Sequence, residues 1–413
     1  MKILSSLVVM FFCAALSACG GGGGTSSLSG SSASSGSGSG GSSSTASNAV
    51  AVIVDAGPNG AGGTANEPFV TVTICSPTNP TVCQTIDHIL VDTGSFGLRI
   101  ISSVLSSSLN LPLETDSNGN TLAECTQFAD GYSWGPIRTA NLQIGSETAN
   151  SLPIQIIGDS AFSGRVPQSC MAVGTSENTV STFGANGVIG LGPFAQDCGN
   201  ACAQSADNGF YYACGANSCQ MTAVSLALQV PNPVTMFKTD NNGSILSFAS
   251  VPADSTENLS GTLTFGVDTQ TNNALGNAKV YTTNQSGYIT TEYNGATYAD
   301  SLLDSGSNGL FFNDDTIAQC SDASGFYCPS STLTLSAVNL GQNGNSGSIS
   351  FAIGNADSMF NNSPNATAFS QLGGVNGDAQ GFDWGLPFFF GRSVYTVVEG
   401  YTTSGGTGPY FAY

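Results

Sequence analysis

Two short stretches decide how this chain folds: LVDTGSFGL at residues 90–98 and LLDSGSNGL at residues 302–310. In each stretch an apolar, strand-forming run leads into an aspartate, Asp92 or Asp304, that stands on a Gly/Ser turn. Glycine lets a backbone turn sharply and lie close to another segment. Two such turns related by a pseudo-twofold axis would bring both carboxylates over one water molecule.

The composition limits the classes of partner. The chain has 413 residues, 27 acidic against 7 basic side chains, and a net charge of −20. A field of that sign repels nucleic acid and anionic membrane surfaces, so we expect neither as a partner. The length allows two or three domains with a large core.

The N-terminus predicts export. Residues 1–18 read as a signal peptide, because Lys2 precedes an apolar run over 3–16 that is too short to span a bilayer. LSAC at 16–19 resembles the lipobox of bacterial lipoproteins, which makes Cys19 the expected lipid anchor. The alternative is an ordinary secretory signal with an incidental cysteine.

Residues 19–48 predict a disordered tether, because after Cys19 they are almost wholly Gly, Ser, Ala and Thr. Flexible-coil scaling gives this segment a reach of roughly 30 Å. A phosphate-binding glycine loop is disfavoured, since no strand precedes the glycine run and no helix follows it.

The cysteines predict disulfides. Setting aside Cys13 and Cys19 leaves an even number, ten, which in an exported chain indicates an oxidising compartment. We expect local pairs between the cysteines at 75 and 83 and at 320 and 328, with 125 and 170 also paired. The cysteines at 198, 202, 214 and 219 would form either disulfides or a four-thiolate zinc site, and the compartment favours disulfides.

The mature chain reads as all-β. Strand-forming runs recur between Gly, Asn, Asp and Ser, as at 70–74, 142–144, 263–265 and 348–353. The best short helices are predicted at 100–107 and 222–230.

A second repeat supports the first, since GVIGLGPF at 187–194 is echoed by WGLPF at 384–388. Each half therefore has an Asp turn followed by an apolar segment ending in Gly and then Pro-Phe. From this repeated order we expect two β lobes over 49–235 and 236–413.

At these residues the chain resembles the pepsin-like aspartic peptidases, and most closely an uncharacterised bacterial lipoprotein family of that type. The two Asp turns are similar to the family's signatures, with Ser305 in place of the commoner Thr. Val188, Ile189 and Gly190, and the segment around Gly385, resemble the two segments that brace the catalytic loops. Residues 261–267 and 388–399 resemble further parts of the second lobe. A chance match to one Asp signature is expected about 0.03 times per chain.

The resemblance implies a bilobal fold of two pseudo-twofold-related β lobes with a central cleft, and an aspartic endopeptidase activity. Asp92 and Asp304 would share one proton and act as general base and general acid on a water molecule. The supporting residues would be the hydroxyls that cross-brace the loops, the serines that donate to the outer carboxylate oxygens, and the glycines that leave room for substrate: Thr93, Ser305, Ser95, Ser307, Gly94 and Gly306.

Two positions depart from the family pattern. A hairpin flap is expected over residues 128–135, where Phe128 stands in place of the usual Tyr. Tyr132 or Trp134 would then cover the cleft instead. Arg99 stands where a supporting Trp is common.

Other chemistries are disfavoured. The one histidine, His88, lies in the predicted strand before Asp92, with no serine elbow around it, and reads as a structural residue. With one histidine and oxidised cysteines a catalytic zinc is improbable, and we expect no cofactor.

The sequence therefore predicts a monomeric endopeptidase acting on peptide or protein substrates in the bacterial cell envelope. Its membrane contact would be the lipid anchor alone. Gly20 after Cys19 favours the outer membrane, facing the periplasm or the surface. The alternative is a catalytically inactive binding or adhesion lipoprotein on the same scaffold.

Overall fold

The computed structural model describes residues 47–252 and 254–413. Strands account for 42% and helices for 11% of the residues, which confirms that the fold is mostly β. The signal peptide, Cys19 and the tether as far as residue 46 lie outside the described residues. Asn48, at the end of the expected tether, is fully buried and donates from Nδ2 to the Phe265 carbonyl at 2.8 Å.

The first half contributes eleven described strands. They are β1 (Ala49–Val54), β2 (Pro68–Cys75), β3 (Cys83–Asp92), β4 (Phe96–Ile101), β5 (Thr121–Gln127), β6 (Gly131–Ile144), β7 (Glu147–Ile157), β8 (Thr175–Ser176), β9 (Gly187–Leu191), β10 (Tyr211–Cys214) and β11 (Cys219–Met221).

The second half contributes sixteen described strands. They are β12 (Gly243–Phe248), β13 (Ser255–Thr256), β14 (Leu259–Phe265), β15 (Val280–Thr282), β16 (Ile289–Tyr293), β17 (Ala296–Leu303), β18 (Leu310–Phe311), β19 (Leu333–Leu340), β20 (Ser346–Ile353), β21 (Ala368–Phe369), β22 (Gly373–Gly374), β23 (Gly381–Trp384), β24 (Ser393–Val397), β25 (Thr402–Thr403), β26 (Gly406–Thr407) and β27 (Tyr410–Ala412).

Helices are short throughout the described chain. The α-helices are α1 (Gln168–Met171), α2 (Val180–Phe183), α3 (Gly199–Gln204) and α4 (Ala356–Asn362). The 3-10 helices are Ser102–Val104, Ser107–Leu109, Ser163–Arg165, Leu226–Leu228, Pro233–Met236 and Leu386–Phe388. None of the described helices is long and apolar enough to cross a bilayer.

Both predicted helices are largely wrong. The segment 100–107 begins as the end of β4, because the β-branched Ile100 and Ile101 pair with β7. Single 3-10 turns follow it. The segment 222–230 holds only the turn Leu226–Leu228. The four strand predictions are confirmed, each lying inside a longer strand.

The larger sheet has sixteen strands and closes partly on itself. Pairing of β2 with β6 completes a ring of β2, β3, β9, β4, β7 and β6, which makes this region barrel-like. Alternate residues of β2 and β3 point into the ring, so Val70, Val72, Ile74 and Ile86 are buried. Closing the ring leaves fewer strand edges exposed.

Strand β1 joins the two halves of the chain. It pairs antiparallel with β2 at one edge and with β14 at the other, from Ala49 opposite Thr264 to Val54 opposite Leu259. The sheet then continues through β12, β24, β27 and β15. The segments on either side of residue 235 therefore share one sheet.

A separate seven-stranded sheet lies within residues 289–384, in the order β20, β19, β16, β17, β23, β18, β22. Its packing is aromatic: the Phe312 ring stacks on Phe382 and the Phe382 ring on Trp384, with centroids 4.8 and 4.4 Å apart. Each such ring buries a large apolar area. This sheet carries Asp304, as the barrel-like region carries Asp92.

All ten cysteines expected to pair do so. The bonds are Cys75–Cys83, Cys125–Cys170, Cys198–Cys202, Cys214–Cys219 and Cys320–Cys328. The three predicted pairs are confirmed. The four cysteines for which a zinc site was the alternative form two disulfides and offer no thiolate.

An ion cluster is buried beside the barrel-like region. Arg99 is 1% exposed, and its Nη2 lies 3.0 Å from Asp197 Oδ2 and also pairs with Glu124. Arg99 Nη1 donates to the carbonyl of Phe96, the first residue of β4 after the Asp92 turn. Burial raises the pKa of Asp197 well above its usual range, with the charge of Glu124 adding to the effect. Arg99 therefore pairs with both acids, of which the raised pKa favours a protonated Asp197, and it supports the Asp92 loop.

Replacing Arg99→Met should lower the free energy of unfolding by about 3–5 kcal/mol, because it leaves buried carboxylates without their cation. Denaturant titration measures the change. The matched control is Arg138→Met, whose ion pair with Asp159 is partly exposed (25% and 16%) and should cost roughly 1 kcal/mol. Equal losses in the two variants would contradict a special role for the buried cluster.

Candidate active site

The two Asp turns are built the same way. In the first, β9 lies between β3, to which it is parallel, and β4, to which it is antiparallel. In the second, β23 lies between β17 and β18 with the same directions. Val91 pairs with Ile189 and Leu303 with Trp384, so the residue before each aspartate has an equivalent partner. The sequence repeats thus correspond to a repeated local structure.

Hydroxyl groups tie the two turns to each other. Thr93 Oγ1 donates to the carbonyl of Leu303 at 2.8 Å and accepts from the backbone N–H of Ser305 at 2.9 Å. In return, Ser305 Oγ donates to the carbonyl of Val91 at 2.7 Å and accepts from the N–H of Thr93 at 3.1 Å. Thr93 and Ser305 are 2% and 0% exposed. These four buried hydrogen bonds fix the position of one turn relative to the other.

The cross-brace brings the two carboxyl groups into contact. A Cβ added to Gly94 would lie 2.6 Å from Asp304 Cγ, and one added to Gly306 would lie 2.7 Å from Asp92 Cγ. Each glycine therefore packs against the opposite carboxyl group, where no side chain fits. Asp92 and Asp304 retain 7% and 9% exposure, so the pair opens narrowly to solvent.

Each carboxylate receives an equivalent set of donors. Asp92 accepts from the N–H of Gly94 at 2.7 Å and from the hydroxyl of Ser95. Asp304 accepts from the N–H of Gly306 at 2.8 Å and from Ser307 Oγ at 2.7 Å. Hydrogen bonds to a carboxylate favour its ionised form. The inner oxygens remain available to each other and to a bound molecule.

The electrostatics of the pair are unequal. Burial raises the pKa of Asp304 well above its usual range, and the charge of Asp92 raises it further, followed by that of Asp383. Two carboxyl groups in contact cannot both ionise easily, so they hold one proton between them. The arrangement can therefore offer an acid and a base at the same place.

A cleft of about 690 Å³ opens over the two carboxyl groups. Its lining comes from both halves of the chain, including the turn at 127–130, the α3 region and residues 285–288. This volume lies within the usual range for sites that enclose ligands of moderate size. The lining of Phe183, Leu226 and Tyr288 mixes apolar and polar surface.

The predicted flap is a hairpin, but its side chains divide between two environments. Strands β5 and β6 pair on either side of the turn 128–130, and Phe128 lines the cleft against Phe183. Tyr132 and Trp134 are 7% and 1% exposed and do not line the cleft. They lie two residues apart on one face of β6, packed near Cys125 and Cys170. The expectation that either covers the cleft is therefore wrong, and Phe128 alone among the three lines it.

His88 lies away from the cleft lining. Its Nε2 is 3.3 Å from Asp55 Oδ2 and its ring packs edge-on against Phe69. Cys320, Cys328 and Asp357 form the one described group with metal-ligand proximity, but the two sulfurs are joined in a disulfide. The contacts of His88 are those of a packing residue. The group of Cys320, Cys328 and Asp357 offers no thiolate to a metal, because both of its sulfurs are in the disulfide.

Sequence reasoning missed one acid beside the pair, Asp383. It precedes Trp384 in β23, and it acts on the pKa of Asp304. The signal was present, since an acid at 383 interrupts the apolar segment that repeats the one at 188–189.

The chain belongs to the family described as "Protein of unknown function (DUF3443)", whose model matches residues 44–413. The matched region contains both Asp turns and every described strand. A search of curated proteins found no match to the chain.

Removing one hydroxyl of the cross-brace should destabilise the protein. Thr93→Val leaves the buried carbonyl of Leu303 and the N–H of Ser305 without partners, so we expect a loss of roughly 2–4 kcal/mol in the free energy of unfolding. Combined with Ser305→Ala, the loss should be less than the sum, because both changes break one network. Denaturant titrations of the single and double variants measure this.

The matched control is Thr73→Val, whose hydroxyl pairs with that of Thr85 at an exposed position. It should change the free energy of unfolding by less than about 0.5 kcal/mol. Strict additivity of Thr93→Val and Ser305→Ala would contradict a shared network.

Proposed function

We propose that this protein is an aspartic endopeptidase in which Asp92 and Asp304 hydrolyse peptide bonds with one activated water molecule. The observation that carries the proposal is the contact of two buried carboxyl groups, each with the same glycine and serine donors, at the base of a cleft. An aspartate that only stabilises a turn does not need a second carboxyl group beside it, whereas two carboxyl groups that share a proton must be in contact. The repeated β3–β9–β4 and β17–β23–β18 units support a bilobal, pepsin-like arrangement.

The proposed reaction uses the pair as base and acid in turn. The raised pKa of Asp304 supports placing the shared proton there, so that Asp92 serves as the base. Asp92 takes a proton from water as the water oxygen bonds to the peptide carbonyl carbon, and Asp304 gives its proton to the carbonyl oxygen. When the C–N bond breaks, the leaving amine takes the proton held by Asp92. Asp304 recovers a proton from the diol, and the pair returns to its starting state.

We also propose that the enzyme acts in the bacterial cell envelope, held by a lipid on Cys19. The five disulfides support an oxidising compartment. The cross-braced pair needs neither metal nor cofactor for the proposed reaction.

The protein should cleave peptides in acid, and a pepstatin-type inhibitor should block the cleavage. Asp92→Asn and Asp304→Asn should each lower kcat/KM by roughly a thousandfold or more, because each removes one partner in proton transfer. Activity should fall as pH rises, since the pair must keep one proton. A peptide-library digest at several pH values, followed by kinetics on one cleaved peptide, measures both effects.

The matched control is Asp322→Asn, which removes an exposed acid and should leave kcat/KM unchanged. Cleavage that survives fully in Asp92→Asn would contradict the assignment of that residue. Inhibitor binding without any cleavage would instead favour the inactive binding protein.

The cleft should prefer cationic substrates. Beyond the catalytic pair it is lined by the acids Asp130, Glu177 and Glu399, and no Lys, Arg or His is among its described lining residues. Asp197, also in the lining, is buried and paired with Arg99. A concave surface of one sign concentrates ligands of the opposite sign. Peptides with Lys beside the scissile bond should therefore show kcat/KM about tenfold above matched peptides with Glu, less so in high salt.

Measured kcat/KM values for a Lys, Gln and Glu series at one position test this preference. The Gln peptide serves as the neutral reference and should fall between the other two. Faster cleavage of the Glu peptide would contradict the preference while leaving the catalytic assignment intact.

A further inference from the structure

Asp383 occupies the position that a valine holds in the other half of the site. In the first unit Leu90 pairs with Val188, two residues before Asp92, and in the second unit Leu302 pairs with Asp383, two residues before Asp304. The structural equivalence of Val188 and Asp383 follows from this register. An acid has thus taken an apolar position behind one aspartate and not behind the other.

The carboxyl group of Asp383 is enclosed and poorly satisfied. It is 0% exposed, and neither oxygen meets the geometry of a hydrogen bond, although the nearby Ser307 hydroxyl acts to lower its pKa. Ser307 lies beside it, but the Ser307 hydroxyl proton is donated to Asp304 Oδ2. Burial raises the pKa of Asp383 to about 8. A buried carboxyl group that lacks a well-formed hydrogen bond is far more stable in its neutral form.

The titratable groups that face Asp383 are the two catalytic carboxyls, Asp304 and Asp92. On the neighbouring strand β17, Asp300 lies opposite Gly381, at the other end of β23. Strand β18 carries only Leu310 and Phe311. Asp383 makes no ion pair with a described Lys, Arg or His. Three acids therefore stand together with no cation among them.

We propose that Asp383 is a positioning residue that keeps the shared proton on Asp304 and extends activity toward higher pH, an inference that rests on the proposed function. Any charge that forms on Asp383 repels a charge on Asp304. Val188 carries no charge and cannot act on Asp92 in this way, so the proton is retained on the Asp304 side of the pair.

The test is the pH profile of kcat/KM for Asp383→Asn, which keeps the size of the side chain but does not titrate. Its basic limb should move to lower pH by about one unit, because Asp304 loses the neighbour whose negative charge, forming as the pH rises, opposes ionisation of Asp304. Asp383→Val, which copies the other half of the site, should shift the limb in the same direction. Asp322→Asn in the same half is the control and should leave the profile unchanged. An unmoved basic limb in Asp383→Asn overturns the proposal.

A second measurement does not depend on catalysis. Wild-type protein should lose thermal stability as pH rises from about 4 to 8, because the unfolded chain ionises this acid near its ordinary pKa while the folded chain keeps it protonated. Asp383→Asn should lose less stability over this range, and Asp322→Asn should follow the wild type. Equal slopes for wild type and Asp383→Asn overturn the proposal. If the protein cleaves no peptide but Asp383→Asn still loses less stability with pH than the wild type, the protonated state of Asp383 is supported and only the peptidase function is rejected.

Discussion

The structure depends on holding two like-charged groups together. Asp92 and Asp304 are 212 residues apart in sequence and would repel each other if both ionised. The hydroxyls of Thr93 and Ser305 each form two hydrogen bonds to backbone groups of the opposite turn. These bonds fix both turns at buried positions, where no water competes for the donors. The β9 and β23 strands then fill the space beneath each turn. The cleft, the buried pair and its shared proton all follow from this constraint.

The parts of the molecule encoded by short segments were predictable from sequence. The Asp turns, the brace around Gly190 and the cysteines eight residues apart each depend on a few neighbouring residues. The alternation of apolar residues likewise gave the strands, since one face of a strand must be buried. Ser305 served as well as Thr because the brace uses only its hydroxyl.

The parts that depend on distant partners were not predictable. Trp134 packs in a buried cluster with the disulfide of Cys125 and Cys170, and Cys170 lies 36 residues further along the chain. The role of Arg99 depends on Glu124 and Asp197, which reach it from other segments. The helix-like run at 100–107 was overridden by strand pairing. Asp383 stands in a segment whose repeat suggested only apolar packing.

Strand β1 sets a limit on how the N-terminus can be processed. It pairs along its whole length with β14, its last two residues also pair with β2, and Asn48 just before it is already buried. If the protein is anchored through Cys19 as proposed, a protease that released it with β1 intact would have to cut before Ser47. A cut farther along would remove β1, the strand that joins the two halves of the chain, and would leave the edges of β2 and β14 without a hydrogen-bonding partner.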